Sequence, residues 1–280
     1  MGSERTAIIT GANSGIGLET ARGIAKAGYR TILWCRDADR ATAAKAEIDG
    51  SVPGANTEVV LGDLGRQVAV RRAVREVEER IDHLDLLVNN AAITIRKRTE
   101  TDEGLDTMLA VNHPGPFLLT NLLLPLLEAA PSARVVTVAS DAHKFGRLDL
   151  DDLQATRGYG PFGMPRYGET KLMNILFTRE LARRLSGTEI TANCLHPGAV
   201  RTNLGDPPAI VRAVVGLLFL SPEKGAATSL AAALDPEFAD VSGSYFVKER
   251  PADDRLASRA TDDEAAAALW DRSAELVGLG

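Results

Sequence analysis

Cysteine is scarce: Cys35 and Cys194 are the only two in 280 residues, they stand in separate apolar runs, and no CxxC spacing joins them to a partner. Neither a disulfide framework nor a zinc site is expected, and the reading is of a chain for a reducing, intracellular, cytoplasmic setting. Histidine is sparse too: His83, His113, His143 and His196 are scattered, with no HExxH and no carboxylate cluster, so no metal is expected. An excess of positive charge is also missing. A formal net charge of -6 disfavours a protein whose work is to neutralise phosphates, and nucleic acid is not an expected partner. Long apolar runs are lacking. The most apolar, AIVRAVVGLLFL at 209–220, is about 12 residues long, carries Arg212 and falls well short of the roughly 20 that span a bilayer. The opening MGSERTAIITG enters an apolar strand almost at once, leaving no room for a signal peptide.

What is present is an alternation. Short β-branched runs at 6–10 (TAIIT), 30–35 (RTILWC), 57–62 (TEVVLG), 84–90 (LDLLVNN), 134–140 (RVVTVAS), 189–196 (EITANCLH) and 242–247 (SGSYFV) are separated by longer helical patterns. Near-continuous apolar character marks strands buried on both faces, and the spacers are long enough for crossover helices. The expected fold is α/β: one domain over residues 1–280, with a doubly wound, parallel, seven-stranded sheet of the Rossmann type. TDDEAAAALWDRSAELVG reads as a final helix with acidic residues in its first turn. The stretch 199–221 interrupts the alternation and is a candidate substrate lid.

ITGANSGIGLET follows the first strand directly and opens a helix, with glycines at Gly11, Gly15 and Gly17. In a parallel sheet the ligand crevice lies beyond the carboxyl ends of the strands. A glycine turn there lets a pyrophosphate reach free backbone N–H groups at the helix N-terminus. The spacing TGxxxGxG resembles that of the short-chain dehydrogenase/reductases, and the resemblance runs over essentially the whole chain. It implies that Gly11, Ser14, Gly15, Ile16 and Gly17 hold a dinucleotide pyrophosphate. At the end of the second strand, LWCRD places Cys35 where the family's NAD-binding acid would stand and Arg36 where a phosphate-binding arginine would. NADP(H) is therefore expected over NAD(H), although Asp37 could bind a ribose hydroxyl instead. GDL aligns Asp63 and Leu64 with the adenine-binding pair, a helix cap being the other reading of Asp63. VNNAA aligns Asn89, Asn90 and Ala91 with the family's NNAG, Ala92 standing in place of its glycine.

RVVTVAS ends in Ser140, at the strand edge that carries the glycine loop. Downstream, RYGETK puts Tyr167 and Lys171 four residues apart, on one helix face. A tyrosine of pKa about 10 is a reluctant acid and base near neutrality, and lowering it by ~3 units corresponds to ~4 kcal/mol. An ammonium about 4 Å away, at an effective dielectric near 20, is worth on the order of 4 kcal/mol. The resemblance assigns Tyr167 as general acid and base, and Lys171 as the group that lowers its pKa and holds the nicotinamide ribose. Ser140 would bind the substrate oxygen, and Asn112 in LAVNHPGPFLLT would hold a water of the proton relay. It also places Pro197, Gly198, Val200 and Thr202 of LHPGAVRT near the carboxamide. His196 reads as a structural neighbour of that loop, while His143 is a candidate for touching substrate.

VNHPGPFLLTNLLLPLL, NILFTRELARRL, HPGAVRTNL, PEKGAATSL, SGSYF and ALWDRSAELVG resemble the retinol dehydrogenase and WW-domain oxidoreductase-like branch. That implies a small-molecule aldehyde, ketone or alcohol as substrate, a lipophilic one if 209–220 forms an apolar flap over the site. The same run reads equally as an amphipathic helix packed on the sheet. Many relatives pair through the helices after strands four and five while some are monomers, and the resemblance favours a homo-dimer or homo-tetramer. A non-catalytic NADP(H)-binding sensor or scaffold is the alternative function; it predicts loss of at least one relay residue, and all four are present.

Overall fold

The computed structural model describes residues 4–198 and 221–280. Its spine is one sheet in the order β3-β2-β1-β4-β5-β6-β7-β8. The strands are β1 Thr6–Thr10, β2 Arg30–Cys35, β3 Asn56–Leu61, β4 Leu86–Asn89, β5 Ala133–Val138, β6 Ile190–His196, β7 Tyr245–Val247 and β8 Arg250–Pro251. The first seven run parallel, on the runs expected from sequence. The eighth is a two-residue strand antiparallel to β7, with Val247 opposite Arg250. It escapes a reading by composition because two exposed polar-edge residues carry no apolar pattern.

Side chains alternate across the sheet and bury a core on each face. Ile8, Ile32, Leu87 and Val135 point to a layer that holds Phe117, Leu123 and Phe177. Ile9, Leu33, Val88 and Val136 point to the other, against Ile24, Ile48 and Ala232. The layers are built by α1 Gly15–Lys26, α2 Ala38–Ser51, α3 Gln67–Glu78, α4 Thr107–Asn112, α5 Pro114–Glu128, α6 Met164–Arg184, α7 Pro222–Leu234 and α8 Asp263–Val277. The acidic start of α8 was legible, and Asp262 caps it by accepting from Ala265 N. On its inner face Trp270 packs between Phe117 (4.9 Å) and Phe177 (5.8 Å). The outer face of α5 and α6, expected to meet a second subunit, is thus in part covered by the chain's own last helix.

Chain order reverses beside β1, whose neighbours are β2 and β4. Register aligns the strand ends: Thr10 faces Trp34, Ile9 faces Val88, Asn89 faces Thr137 and Val138 faces Leu195. Everything that follows β1, β2, β4, β5 and β6 therefore emerges on one rim, at the switch point where α/β sheets bind ligands. The stretch 209–220, Val200 and Thr202 lie outside the described residues. No described helix is long and apolar enough to cross a membrane.

Candidate active site

The rim opens into a cleft of ≈ 1080 Å³. Its floor is the glycine loop, and Thr10 holds that loop in place. Thr10 Oγ1 accepts from Asn90 N (2.9 Å) and Ala91 N (3.0 Å), and Asn90 Nδ2 donates to the Thr10 carbonyl at 2.8 Å. A Cβ on Gly17 would stand 2.3 Å from the Gly11 oxygen and 2.4 Å from Asn90 Nδ2, so only glycine lets α1 lie this close to the loop. Gly15 differs: its φ of +56° favours glycine, but nothing lies within 4 Å of where a Cβ would be. Ser14 is the N-cap of α1 yet makes no side-chain capping bond, and the first turn carries no acid. The N–H groups of that turn, at the positive end of the helix dipole, face the cleft with no carboxylate or hydroxyl of their own to satisfy them. Gly11, Ser14, Gly15, Ile16 and Gly17 all line the cleft, and the cradle fits a pyrophosphate.

At the end of β2 the cleft is bordered by Cys35, Arg36 and Arg40. Burial pushes the Cys35 thiol up to about 11, so a neutral group occupies the position where an acid would repel a phosphate. Asp37 is occupied as the N-cap of α2, its Oδ1 accepting from Arg40 N at 3.0 Å. Arg40 was not singled out in sequence; its signal is the spacing of four from Arg36 across the first turn of that helix. Asp63 and Leu64 line the cleft, and Asp63 Oδ1 accepts from Gly65 N at 2.9 Å. That bond closes a local turn; the N-cap of α3 is Arg66, not Asp63. Asn90 and Ala91 reach the cleft wall. Asn89 does not: it is 3% exposed and its Nδ2 donates to Thr120 Oγ1 on α5 at 2.9 Å. In a strand successive side chains take opposite faces, so neighbouring Asn89 and Asn90 part at the strand end.

Ser140, Tyr167 and Lys171 meet at the far end, and all three line the cleft. Ser140 caps the short 3-10 turn Asp141–Phe145, its Oγ accepting from Ala142 N at 3.1 Å. Asp141 anchors that turn by accepting from the Tyr245 phenol at 3.0 Å and from Arg255 at 3.3 Å. Burial pushes the Tyr167 phenol up to about 12, while the neighbouring Ser140 hydroxyl pulls the other way. Lys171 is 1% exposed, and burial pushes its ammonium down to about 7. Its Nζ donates to the Val138 carbonyl at 2.7 Å and lies 5.6 Å from the centre of the Tyr167 ring. The expected lowering of the tyrosine by the lysine is not the leading effect among the protein's own groups. Lys171 is buried and Tyr167 half-buried, and desolvation disfavours both charged forms.

Asn112 is wholly buried at the break between α4 and α5. Its Oδ1 accepts from Ile93 N (2.8 Å), and its Nδ2 donates to Ile93 O (3.0 Å) and Thr170 Oγ1 (3.1 Å). The side chain therefore knits α4 to α6. Four residues on stands Pro116, which has no N–H to offer the Asn112 carbonyl. His143 is buried behind Ser140, its Nδ1 donating to Ser140 O at 2.8 Å and its Nε2 accepting from Ala257 N at 3.2 Å. Both ring nitrogens are used within the fold, which makes it a strut for the turn. His196, with Pro197 and Gly198, lines the cleft, and its Nδ1 accepts from Asp141 N at 3.4 Å. Among the described residues no group of metal-ligating side chains gathers.

A doubly wound sheet with a glycine cradle at its switch point, and a serine, tyrosine and lysine on the same rim, defines a nucleotide-binding oxidoreductase. The short chain dehydrogenase family profile matches residues 5–151. Retinol dehydrogenase 14 of Mus musculus is 40% identical over 98% of this chain and 86% of its own length. Retinol dehydrogenase 13 of Homo sapiens is 39% identical over 98% and 85%. Among solved structures, an uncharacterised protein from Mycobacterium paratuberculosis superposes with a TM-score of 0.78 at 34% identity, over 98% of this chain and 93% of that one. A short chain dehydrogenase from Burkholderia cenocepacia J2315, solved in complex with NADP, gives 0.70 at 26%, over 86% and 95%. The chain belongs to the short-chain dehydrogenase/reductase family, in its retinol dehydrogenase-like branch.

Proposed function

We propose that this protein transfers a hydride between NADP(H) and a carbonyl or alcohol substrate, with Tyr167 as the proton donor and acceptor. The observation that carries the reading is the convergence of Ser140, Tyr167 and Lys171 on the cleft that the glycine cradle and Arg36 also border. The first turn of α1 would hold the pyrophosphate. Arg36 and Arg40 would hold a 2'-phosphate, the neutral Cys35 offering it no repulsion. Lys171 would hold the nicotinamide ribose. When bound, the nicotinamide supplies or takes up the hydride and, in its oxidised form, brings a positive charge beside the phenol.

Ser140 Oγ hydrogen-bonds the substrate oxygen and fixes it against the Tyr167 phenol, which gives up its proton in reduction and takes one in oxidation. Bringing that phenol from about 12 to neutrality corresponds to about 7 kcal/mol. The Lys171 ammonium alone is worth on the order of 4 kcal/mol at close approach. The lysine therefore supplies part of the effect and needs a second positive charge beside it. An apolar aldehyde or alcohol is the favoured substrate. Met164 lines the cleft, Phe162 stands 72% exposed two residues before it, Phe145 stands 76% exposed at the end of the turn that begins after Ser140, and the similar curated proteins are named retinol dehydrogenases.

The test is Tyr167→Phe assayed by NADPH oxidation against a panel of aldehydes and ketones. Turnover should vanish while NADPH still binds, and retention of more than about a hundredth of kcat would refute the assignment.

A further inference from the structure

Arg166, the residue before Tyr167, is 2% exposed, and every nitrogen of its guanidinium has an acceptor. Nε donates to Asp106 Oδ1 at 3.1 Å, Nη1 donates to Glu169 Oε2 at 2.7 Å, and Nη2 donates to the Leu153 carbonyl. Asp106 is wholly buried and caps α4, its Oδ1 also accepting from Leu109 N at 2.9 Å. Its backbone N–H donates to Gln154 Oε1 at 2.7 Å. One guanidinium thus joins the first turn of α6, the start of the helix that ends in Asn112, and the segment carrying Leu153 and Gln154.

Stability alone is a poor account of this arrangement. A buried ion pair loses so much hydration that apolar side chains of similar volume usually hold a fold as well. What the pair adds is direction, because a planar fork with three acceptors fixes both the distance and the rotation of the element bearing it. The first turn of α6 needs such fixing. Its N-cap is Gly163, with φ 71° and no side-chain capping bond. On the opposite flank Gly168 abuts the turn that carries Ser140, so closely that a Cβ there would lie 2.5 Å from the Ala142 oxygen. Tyr167 stands between these two supports.

We infer that Arg166 is a positioning residue for the Tyr167 phenol: its buried bridge to Asp106, Glu169 and Leu153 sets the first turn of α6 against α4, and with it the reach from the phenol to Ser140. The inference rests on the proposed role of Tyr167 and adds a residue that touches neither cofactor nor substrate. Lysine cannot replace it, since a single ammonium on a flexible stem does not hold three acceptors in one plane.

The experiment uses the full chain carrying Arg166→Lys, with Arg166→Met/Asp106→Asn/Glu169→Gln as a second variant that leaves none of the three bridged charges unpaired and keeps an acceptor for the α4 cap. NADPH binding, kcat and KM per folded enzyme, and the pH profile of alcohol oxidation are measured, with Tyr167→Phe alongside. A displaced phenol should lower kcat about ten- to a hundredfold while NADPH affinity holds. It should also move the ascending limb of oxidation to higher pH, because the Ser140 hydroxyl, which draws the phenol down, then stands further from it. A purely structural role scales the whole profile evenly and leaves the limb where it was; that result, or an unchanged kcat in either folded variant, overturns the inference. If Tyr167→Phe itself turns over, the reading of the active site fails. If Tyr167→Phe is dead and the Arg166 variants keep the parent profile, only this inference does.

Discussion

Lys171 Nζ donates to the Val138 carbonyl at 2.7 Å, which ties α6 to the end of β5 two residues before Ser140. The amine is buried with no carboxylate among the described residues to balance it, and its pKa falls from 10.5 to about 7. In the unfolded chain it would take up a proton throughout that window, so raising the pH from about 7 towards 10.5 stabilises the fold, and the contribution is gone below about 7. Between pH 7 and 9, without added nucleotide, the parent protein should gain on the order of 2 kcal/mol relative to Lys171→Met. Urea titrations at the two pH values measure the difference, and a constant gap between the proteins would contradict it.

His113 sets a second, acid-side dependence. Its ring lies among Phe117 and Phe177, its Nε2 meets Ser273 Oγ on α8 at 2.8 Å, and burial pushes its pKa from 6.5 down to about 3. Unfolding releases the imidazole to accept a proton anywhere between those values, so the stabilisation present above 6.5 is lost as pH falls towards 3. From pH 6.5 to 4.5 the parent should lose on the order of 2 kcal/mol more than His113→Asn does. Thermal unfolding followed by circular dichroism at both pH values decides it.

Gly17 and Gly15 should respond differently to alanine. At Gly17 the new Cβ meets the Gly11 oxygen and Asn90 Nδ2, so Gly17→Ala must push α1 off the loop and should abolish nucleotide binding as well as lower the melting temperature. At Gly15 there is room, and the cost of Gly15→Ala is the left-handed backbone alone, about 1 kcal/mol. Calorimetric titration with NADPH, beside a melting curve, separates the two; equal losses in both variants would count against the close-approach argument.

Arg36 and Arg40 should divide cofactor choice. A hydrogen bond to a charged group contributes about 1.5–3 kcal/mol, so Arg36→Ala should lower the ratio of kcat/KM for NADPH over NADH roughly ten- to a hundredfold, and Arg40→Ala should lower it further when added. The rate with NADH should scarcely move. A ratio that survives both substitutions would remove the NADP(H) assignment.

The parts of this molecule that repeat along the chain were legible in it. Runs such as RTILWC and ARVVTV are apolar because both faces of the sheet are covered, and that pattern is local. Ser140 stands at the end of β5, on the rim where register gathers the strand ends, and Tyr167 and Lys171 reach the same cleft from α6, at the four-residue spacing that RYGETK displays. Side-chain direction at those ends was not legible: Asn89 and Asn90 are neighbours in sequence, and only the strand's turn of side decides that one meets Thr120 and the other the cleft. Pairings between distant residues were hidden for a related reason. Thr10 with Asn90, Arg166 with Asp106 and His143 with Ala257 are set by packing, and no spacing along the chain announces them.

The small strand β8 has a consequence beyond its size. It ends the sheet with Arg250 and Pro251, both exposed, the first charged and the second without an N–H. A further chain arriving at that edge finds a like charge or a missing donor where it would need a ladder of bonds, and two residues offer too little length to begin one. That border of the sheet is thereby closed to strand addition, which protects an otherwise all-parallel array of apolar strands from growing at this edge at high concentration.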